Sequence, residues 1–364
     1  MKRVLILAVA ALLLATTPKL SERQRALHAV NRLAFGARPG DVDKVLKTGV
    51  DNWIEQQLHP EAIPDRAVEA RLQQLPTLRM SDAELLTKYY QPIVQARREF
   101  KETQMKPADM QMLRKNAQEV VGDLVAQRII RAADSDRQLN EVMVDFWFNH
   151  FNVFAGKGID RFMLTTYERD VIRPHIWGRF EDLLMATAKS PAMLFYLDNA
   201  RSRAGAINEN YAREIMELHT LGVDAGYTQN DVTELARVFT GWTIAGPRQG
   251  GAFVFRPMLH DNGAKSVLGV QLPAHGGMAE GEKMIHILAH HPATAQHIAY
   301  QLCQRLVADD PPPALVDRVA KRFLATDGDL RETVRAVITS PEFWSADDYR
   351  AKVKTPFAYA ISAV

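Results

Sequence analysis

The sequence predicts a mainly α-helical protein, a multi-helical array that carries one small β-hairpin insertion near residues 250–272. Two observations predict the helices. Capping boxes open helices at Ser21 and Ser81, and most of the chain places its apolar residues at helical spacing. One observation predicts the hairpin: two β-rich runs, Gly250 to Arg256 and Ser266 to Leu272, flank the turn-rich segment Pro257 to Lys265.

The predicted helices are separated by glycine and proline, which end helices. In chain order they cover residues 21–36, 41–46, 50–58, 107–133, 137–151, 160–173, 179–189, 209–222 and 229–240, with three or four more after residue 278. We expect a single large helical domain over residues 21–364, and a subdivision near residues 100–110 stays open.

The N-terminus predicts a secretory signal peptide over residues 1–17. A short positive region, Met1 to Arg3, precedes the uninterrupted apolar run Val4 to Ala15. As a helix this run would rise only ~18 Å, too little to cross a hydrocarbon core of ~30 Å. We therefore expect an exported protein, periplasmic or extracellular, with no other membrane span. Retention by an uncleaved N-terminal segment is the alternative.

Composition excludes some classes of protein. The chain is 47% hydrophobic, which is typical of a globular protein and not of a disordered one. Its 45 basic and 43 acidic residues give a net charge of +2 and form no basic run, so nucleic acid is not an expected partner. The single cysteine, Cys303, allows no intramolecular disulfide and is interpreted as a buried apolar residue.

Polar residues first crowd at the end of the helix predicted over 137–151. Glu141, Asp145 and Asn149 form a stripe on a helix that is otherwise rich in aromatic residues. If the helix is buried, each of these groups needs a partner, since an unpaired buried polar group costs ~1–3 kcal/mol. Asp145 and Asn149 are therefore candidate substrate-binding residues. His150 is either a hydrogen-bonded core histidine or a catalytic residue.

A second polar stripe follows Asn208. Residues Asn210, Arg213, Glu214 and Glu217 share one face of a helix, whereas His219 points away from the two carboxylates and cannot complete a chelate with them. Glu214, Glu217 and Arg213 are candidate catalytic residues, and Asn208 and Asn210 are candidate substrate-binding residues. The simpler interpretation is an ion pair from Arg213 to Glu217 on a structural face.

A third group surrounds the predicted hairpin. Trp242 ends the helix that Thr228 and Asp231 cap, and His260 with Asp261 stands in the loop. His260 is a candidate catalytic residue, and Trp242 and Asp261 are candidate substrate-binding residues. Turn formation by Asp261 is the structural alternative.

Several stretches resemble one bacterial family, the domain of unknown function 1800, over about residues 21–364. The most specific stretch is NENYAREIMELHTLGVDAGYTQNDVTELARVFTGWTI, residues 208–244. Supporting stretches are NRLAFG (31–36), DFWFNHFNVF (145–154), HDNGAKSVLG (260–269), HPATAQHIAYQL (291–302) and SPEFW (340–344).

The resemblance implies an exported, mostly helical protein without an established activity. It also implies a partner, an exported protein of a second family that is similar to sulfatases and alkaline phosphatases. Similar chains continue past the KTPF element at 354–357, so we expect that a C-terminal helical portion is missing here. The resemblance further implies a basic residue at the position of Gln301.

Three functions remain open at this level. The first is a non-catalytic binding or assembly component that works with the phosphatase- or sulfatase-like partner. The second is an exported hydrolase or lyase for an envelope polymer that uses Glu214 and Glu217 as acid and base. The third is a divalent-metal protein with ligands among His150, Glu214, Glu217, His260 and Asp261, although no metal motif or nucleophile motif supports a cofactor or a reaction.

Overall fold

The computed structural model describes residues 19–103, 107–246 and 250–363. The predicted signal peptide lies outside these residues. The predicted subdivision near residues 100–110 overlaps residues 104–106, which also lie outside them.

The structure is mainly α-helical, as the sequence predicts. The α-helices are α1 (Glu22–Leu33), α2 (Asp41–Thr48), α3 (Val50–Leu58), α4 (Arg66–Leu72), α5 (Asp82–Leu85), α6 (Gln91–Thr103), α7 (Pro107–Asp134), α8 (Gln138–His150), α9 (Leu164–Thr166), α10 (Phe180–Ala188), α11 (Pro191–Tyr196), α12 (Asn210–Glu214), α13 (Gln229–Val238), α14 (Met278–Ala289), α15 (Pro292–Leu306), α16 (Pro313–Ala325), α17 (Leu330–Ile338) and α18 (Pro356–Ile361). The predicted capping boxes are present at Ser21, Ser81 and Thr228.

Three helical segments are π-helical rather than α-helical: Leu86–Tyr90, Tyr167–Ile172 and Ile215–His219. The last of these corrects the prediction of one continuous α-helix over 209–222, because α12 passes directly into the wider π turn. A π turn shifts the direction of the side chains that follow it. The α-helical angles used to place His219 therefore do not apply beyond Glu214.

The β structure occupies the predicted region but pairs differently. β1 (Trp242–Ile244) pairs antiparallel with β2 (Phe253–Phe255), and β3 (Lys265–Val267) pairs antiparallel with β4 (Val270–Leu272). The two runs predicted to form one hairpin thus belong to two separate ribbons. Trp242 to Ile244 directly follows a helix, and its strand character was missed because the run is only three residues long.

The apolar side chains form one large cluster that reaches from α1 to Phe343. Helix α8 lies within it, since Trp147 and Phe151 are 0% exposed and pack on each other and on Phe180. Full burial of a side chain of this kind contributes about 1.5–3 kcal/mol. These contacts fix α8 against the start of α10.

Glu141 and Asp145, in the polar stripe of α8, both have charged partners. Arg173 donates from Nη1 and Nη2 to Glu141, over 2.9 and 2.8 Å, and from Nη2 to Glu168 over 2.8 Å. Asp145 accepts from Arg128 over 2.5 Å. The expectation that Glu141 and Asp145 have partners is confirmed.

Among the described residues, no helix combines the length and apolar character needed to cross a bilayer.

Candidate anion-binding site

A cavity of about 960 Å³ lies between α1, α8, α15 and the irregular segment that precedes α18. Its size is in the range of small-molecule sites, which extend to ~1,000 Å³. Each element contributes polar side chains to its wall. They are Asn31 and Arg32 of α1, Asn149 and His150 of α8, Gln301, Gln304 and Arg305 of α15, and Arg350, Lys352 and Lys354 of the C-terminal segment.

Two arginines define the charge of this cavity. Arg32 is 6% exposed, and its only hydrogen bond among the described residues is from Nη2 to the neutral backbone carbonyl of Asp348, over 2.6 Å. Arg305 forms no hydrogen bond or ion pair within the described part of the chain. Burial lowers the pKa of both, and the guanidinium of Arg305 lowers the pKa of Arg32 further. Arg32 is buried and Arg305 is half-buried, and neither has a carboxylate in contact among the described residues.

Further positive charge lies around the opening. Lys352 is neutralised by an ion pair with Asp309 and donates to the carbonyl of Gln304 over 2.7 Å. Arg350 and Lys354 are exposed and have no ion pair among the described residues. Carboxylates do lie nearby, since Asp348 and Asp309 raise the pKa of Arg32 and Asp145 raises that of Arg305. Of the charged residues that line the wall, however, only Asp309 is acidic.

His150 and Gln301 of the cavity wall belong to a hydrogen-bonded chain that also includes His297. His150 Nε2 lies 3.1 Å from the carbonyl oxygen of His219, and His297 Nε2 lies 3.2 Å from that of Leu218. These carbonyls end the π segment and have no partner within it, so the imidazoles cap the helix end. The Gln301 amide bridges the two rings, 2.7 Å from His150 Nδ1 and 2.9 Å from His297 Nε2.

The protonation of this chain follows from burial. Burial lowers the pKa of His150 to about 4 and that of His219 to about 3, so both are neutral at pH 7. In the structure the amide oxygen of Gln301 faces Nδ1 of His150, and its NH2 group faces Nε2 of His297. The carbonyls of His219 and Leu218 can only accept, so Nε2 carries the hydrogen of each neutral ring. These tautomers require the Gln301 amide to be turned over, so that its NH2 donates to Nδ1 of His150 and its oxygen accepts from His297. His150 is therefore hydrogen-bonded, as the first interpretation expected, and it also lines the cavity. A catalytic role for it stays a prediction.

The other candidates on α12 lie in a separate place. Arg213 pairs with Glu209 over 3.3 Å and with Glu217 over 3.4 Å, and Gln229 accepts from it over 2.8 Å. The predicted ion pair from Arg213 to Glu217 is thus present. Burial and then the proximity of Glu217 raise the pKa of Glu214. None of these residues lines the arginine cavity.

The candidates near the ribbons form a third group. His260 is buried, with Nδ1 2.8 Å from the carbonyl oxygen of Thr240 and Nε2 3.5 Å from Glu280. Asp261 accepts two hydrogen bonds from Arg237 and one from the backbone of Gly263, and these contacts lower its pKa to about 2. Trp242 is 0% exposed and packs against Gly281 and Phe239.

The remaining predicted residues divide between these places. Asn149 lines the arginine cavity, and Asp145 lies close enough to act on Arg305. The side chain of Asn208 accepts from the backbone N–H of Asn210 over 2.9 Å, which starts α12. The structure therefore brings His150, Asn149 and Asp145 together but does not gather His150, Glu217 and His260 in one cavity.

Arg32 and Arg305 were missed from the sequence. The available signal was a basic residue beside an apolar helix face: Arg32 falls between His28 and Phe35, and Arg305 stands three residues after Leu302. His28 on α1 and Phe35 just after it are both buried. A cation in such a position either extends its charge to water or faces a cavity, and only the fold distinguishes the two.

The comparison with protein families agrees with the resemblance of the sequence. The profile described as "Protein of unknown function (DUF1800)" matches residues 28–364. The chain belongs to this family. No curated protein and no solved structure matches the chain. The site is thus interpreted from its own geometry.

Proposed function

We propose that this DUF1800 protein is an exported, non-catalytic binding component whose ligand carries an anionic group, held between Arg32 and Arg305. The observation that carries the proposal is a pair of guanidiniums in one cavity, Arg32 buried and Arg305 half-buried, without a carboxylate in contact. A buried charge is costly unless it is paired, and guanidinium suits phosphate, sulfate and carboxylate through parallel hydrogen bonds. A bound anion would offset that cost.

The shape of the cavity supports a ligand larger than the anionic group alone. Its volume of about 960 Å³ far exceeds what a single phosphate needs, and Asn149, Gln301 and Gln304 offer neutral donors and acceptors beside the arginines. Arg350 and Lys354 stand at the opening, where positive charge increases the rate of encounter with an anion. Phosphate or sulfate esters of an envelope polymer fit this description.

The partner that the family resemblance implies would act on the same class of ligand, and we include it in the proposal. An exported protein similar to sulfatases and alkaline phosphatases would act on sulfate or phosphate esters, the groups that the arginine cavity would hold. The DUF1800 chain would then bind or present the substrate that its partner cleaves. Co-purification of the two exported proteins tests this step separately from ligand binding.

The binding experiment uses inorganic phosphate and inorganic sulfate as probes, titrated calorimetrically at low and at high salt. Arg32→Gln and Arg305→Gln should each weaken binding about tenfold or more, because a hydrogen bond to a charged group contributes about 1.5–3 kcal/mol. Arg213→Gln is the matched control, since it removes an arginine from the surface of α12. Binding should also weaken at high salt.

Two results would contradict the proposal. One is the absence of saturable binding of either anion to the wild-type protein. The other is an equal loss in Arg213→Gln and Arg305→Gln, which would indicate a general charge effect rather than binding in the cavity.

The second candidate function is the hydrolase or lyase. The observation in its favour is the difference between two neighbouring carboxyl groups: the pKa of Glu214 is raised, whereas Glu217 is paired with Arg213. Such a pair suits an acid and a base. Under this hypothesis Glu217→Gln abolishes the function that this protein and its partner perform in cells, while the protein stays folded. Retained function in that variant excludes the acid–base role.

A further inference from the structure

A second cluster of ligand-type side chains lies away from the arginine cavity, where α10 and α14 pack together. Glu181 stands in the first turn of α10, His286 in the last turn of α14, and His290 caps the end of α14. Each offers one ligand atom, and these atoms lie within 4.8 Å of one another. His286 Nδ1 is 3.1 Å from one carboxylate oxygen of Glu181, and His290 Nδ1 is 3.9 Å from the other.

The local structure explains why these three side chains lie close together. His286 and His290 are four residues apart, so they lie one above the other on the same helix face, with ring centroids 4.3 Å apart. The first turn of α10 lies against this face because α10 and α14 share the apolar core through Leu183, Leu184 and Leu288. Two imidazoles and one carboxylate therefore converge from two rigid helices.

A further contact involves the other nitrogen of His290. Nε2 of His290 lies 2.5 Å from Oδ1 of Asp327, whose second oxygen pairs with Arg179. A histidine that binds a metal through one nitrogen almost always donates its other N–H to a carboxylate or carbonyl, which fixes the ring and strengthens the ligand. Asp327 stands in this position for a metal bound at Nδ1.

We propose that Glu181, His286 and His290 form a divalent metal site of the zinc class, with Asp327 as the residue that positions His290. Two imidazoles and one carboxylate are the ligands of a three-ligand zinc site that keeps a fourth position for water. Zinc–ligand distances of about 2.0–2.2 Å require the three atoms to draw together by about 1 Å. The exposed side chain of His286 leaves room for that shift.

The competing arrangement is a metal-free ion-pair network. Nδ1 of His290 lies 2.8 Å from the backbone oxygen of His286, so a protonated ring could donate there and to Asp327 at once. The two arrangements differ in what Asp327 does. In the ion-pair network Asp327 stabilises the protonated form of His290, whose proton on Nδ1 competes with the metal. In the metal site Asp327 instead orients the His290 ring so that Nδ1 can bind the metal.

The experiment is a Zn2+ titration of the tag-free full chain after chelator treatment, followed by calorimetry and by competition with a chromophoric chelator. We expect one Zn2+ per chain in the wild type and loss of that binding in His286→Gln and His290→Gln. Asp327→Asn should weaken Zn2+ binding about 10–100-fold, the usual cost of removing such a partner. His59→Gln is the matched control, because His59 lies between Glu55 and Glu61 but belongs to no group of three metal ligands within the described part of the chain.

Co2+ supplies a readout that does not depend on the variants. A bound Co2+ with two nitrogen ligands and one oxygen ligand should give visible absorption bands that Zn2+ removes. Absence of stoichiometric Zn2+ binding in the wild type overturns the site. So does equal binding in His286→Gln, His290→Gln and His59→Gln. Unchanged or tighter binding in Asp327→Asn overturns the positioning role and supports the ion-pair network.

Discussion

Arg32 of α1 and Arg305 of α15 face one cavity, Arg32 buried and Arg305 half-buried, and neither has a carboxylate in contact among the described residues. The guanidinium of Arg305 adds to the effect of burial in lowering the pKa of Arg32. Two like charges held together in a shielded place destabilise the ligand-free fold. Such an arrangement is typical of a site prepared for an oppositely charged ligand.

Removal of one of these charges should stabilise the ligand-free protein. Arg305→Met keeps most of the apolar length and removes an unpaired, half-buried cation, so we expect the free energy of unfolding to rise by about 1 kcal/mol. Urea denaturation in phosphate-free buffer measures it. Arg318→Met is the control, because Arg318 is exposed and paired with Glu342, and its loss should cost only about 0–1 kcal/mol. A destabilised Arg305→Met protein would mean that Arg305 is a structural residue.

Removing the arginine from a buried group of three charged residues should instead destabilise the protein. Arg173 holds Glu141 and Glu168, which are 5% and 0% exposed. Arg173→Met leaves two carboxylates buried without their cation, and we expect a loss of about 3–5 kcal/mol in the free energy of unfolding. Combining it with Glu141→Gln and Glu168→Gln should restore part of that loss. Denaturation of the single and the triple variant measures both effects, and equal instability would argue against a charge effect.

The sequence predicts the helices, and it predicts that polar residues on a buried helix have hydrogen-bond partners. Both predictions depend only on the local spacing of residues. Ser21, Ser81 and Thr228 cap helices as predicted, and Glu141 and Asp145 have the partners that burial requires. The π turn at Ile215–His219 could not be predicted. It depends on the histidines that accompany its last carbonyls, and those come from α8 and α15.

The arginine cavity could not be predicted either, because its residues come from separate helices. Arg32, His150 and Arg305 belong to three helices that only the tertiary fold brings together, and each has an ordinary role within its own helix. Of the residues singled out from the sequence, His150 and Asn149 line the cavity. The α12 stripe and the group around His260 were correctly recognised as polar clusters, but the structure places them apart from it.

Asp160 gives a pH-dependent prediction. It is 0% exposed, and burial raises its pKa from 3.8 to about 8, so the folded protein retains a proton that the unfolded chain releases. This contribution to stability is present at low pH and is lost as pH rises through about 8. Asp160→Asn has no proton to lose. We expect its stability relative to the wild type to increase steadily between about pH 4 and pH 8, measured by urea denaturation at several pH values. A constant difference would mean that Asp160 is ionised in the fold.

His219 gives a prediction of the opposite sign. Burial lowers its pKa from 6.5 to about 3, and nearby His150 and His297 add to the effect. Between these values the unfolded chain binds a proton that the folded protein rejects. The stability it provides is therefore complete above pH 6.5 and is lost as pH falls toward 3.

His219→Met should make the free energy of unfolding depend less steeply on pH below 6.5. The difference in the free energy of unfolding between variant and wild type should be constant from pH 7 to 8, where His219 is neutral in both the folded and the unfolded chain. It should change only on acidification. Denaturation curves at half-unit intervals from pH 8 to pH 4.5 measure it. If both proteins lose stability in parallel over that range, His219 is not the group that takes up the proton, and the neutral histidine chain inferred beside the cavity is wrong.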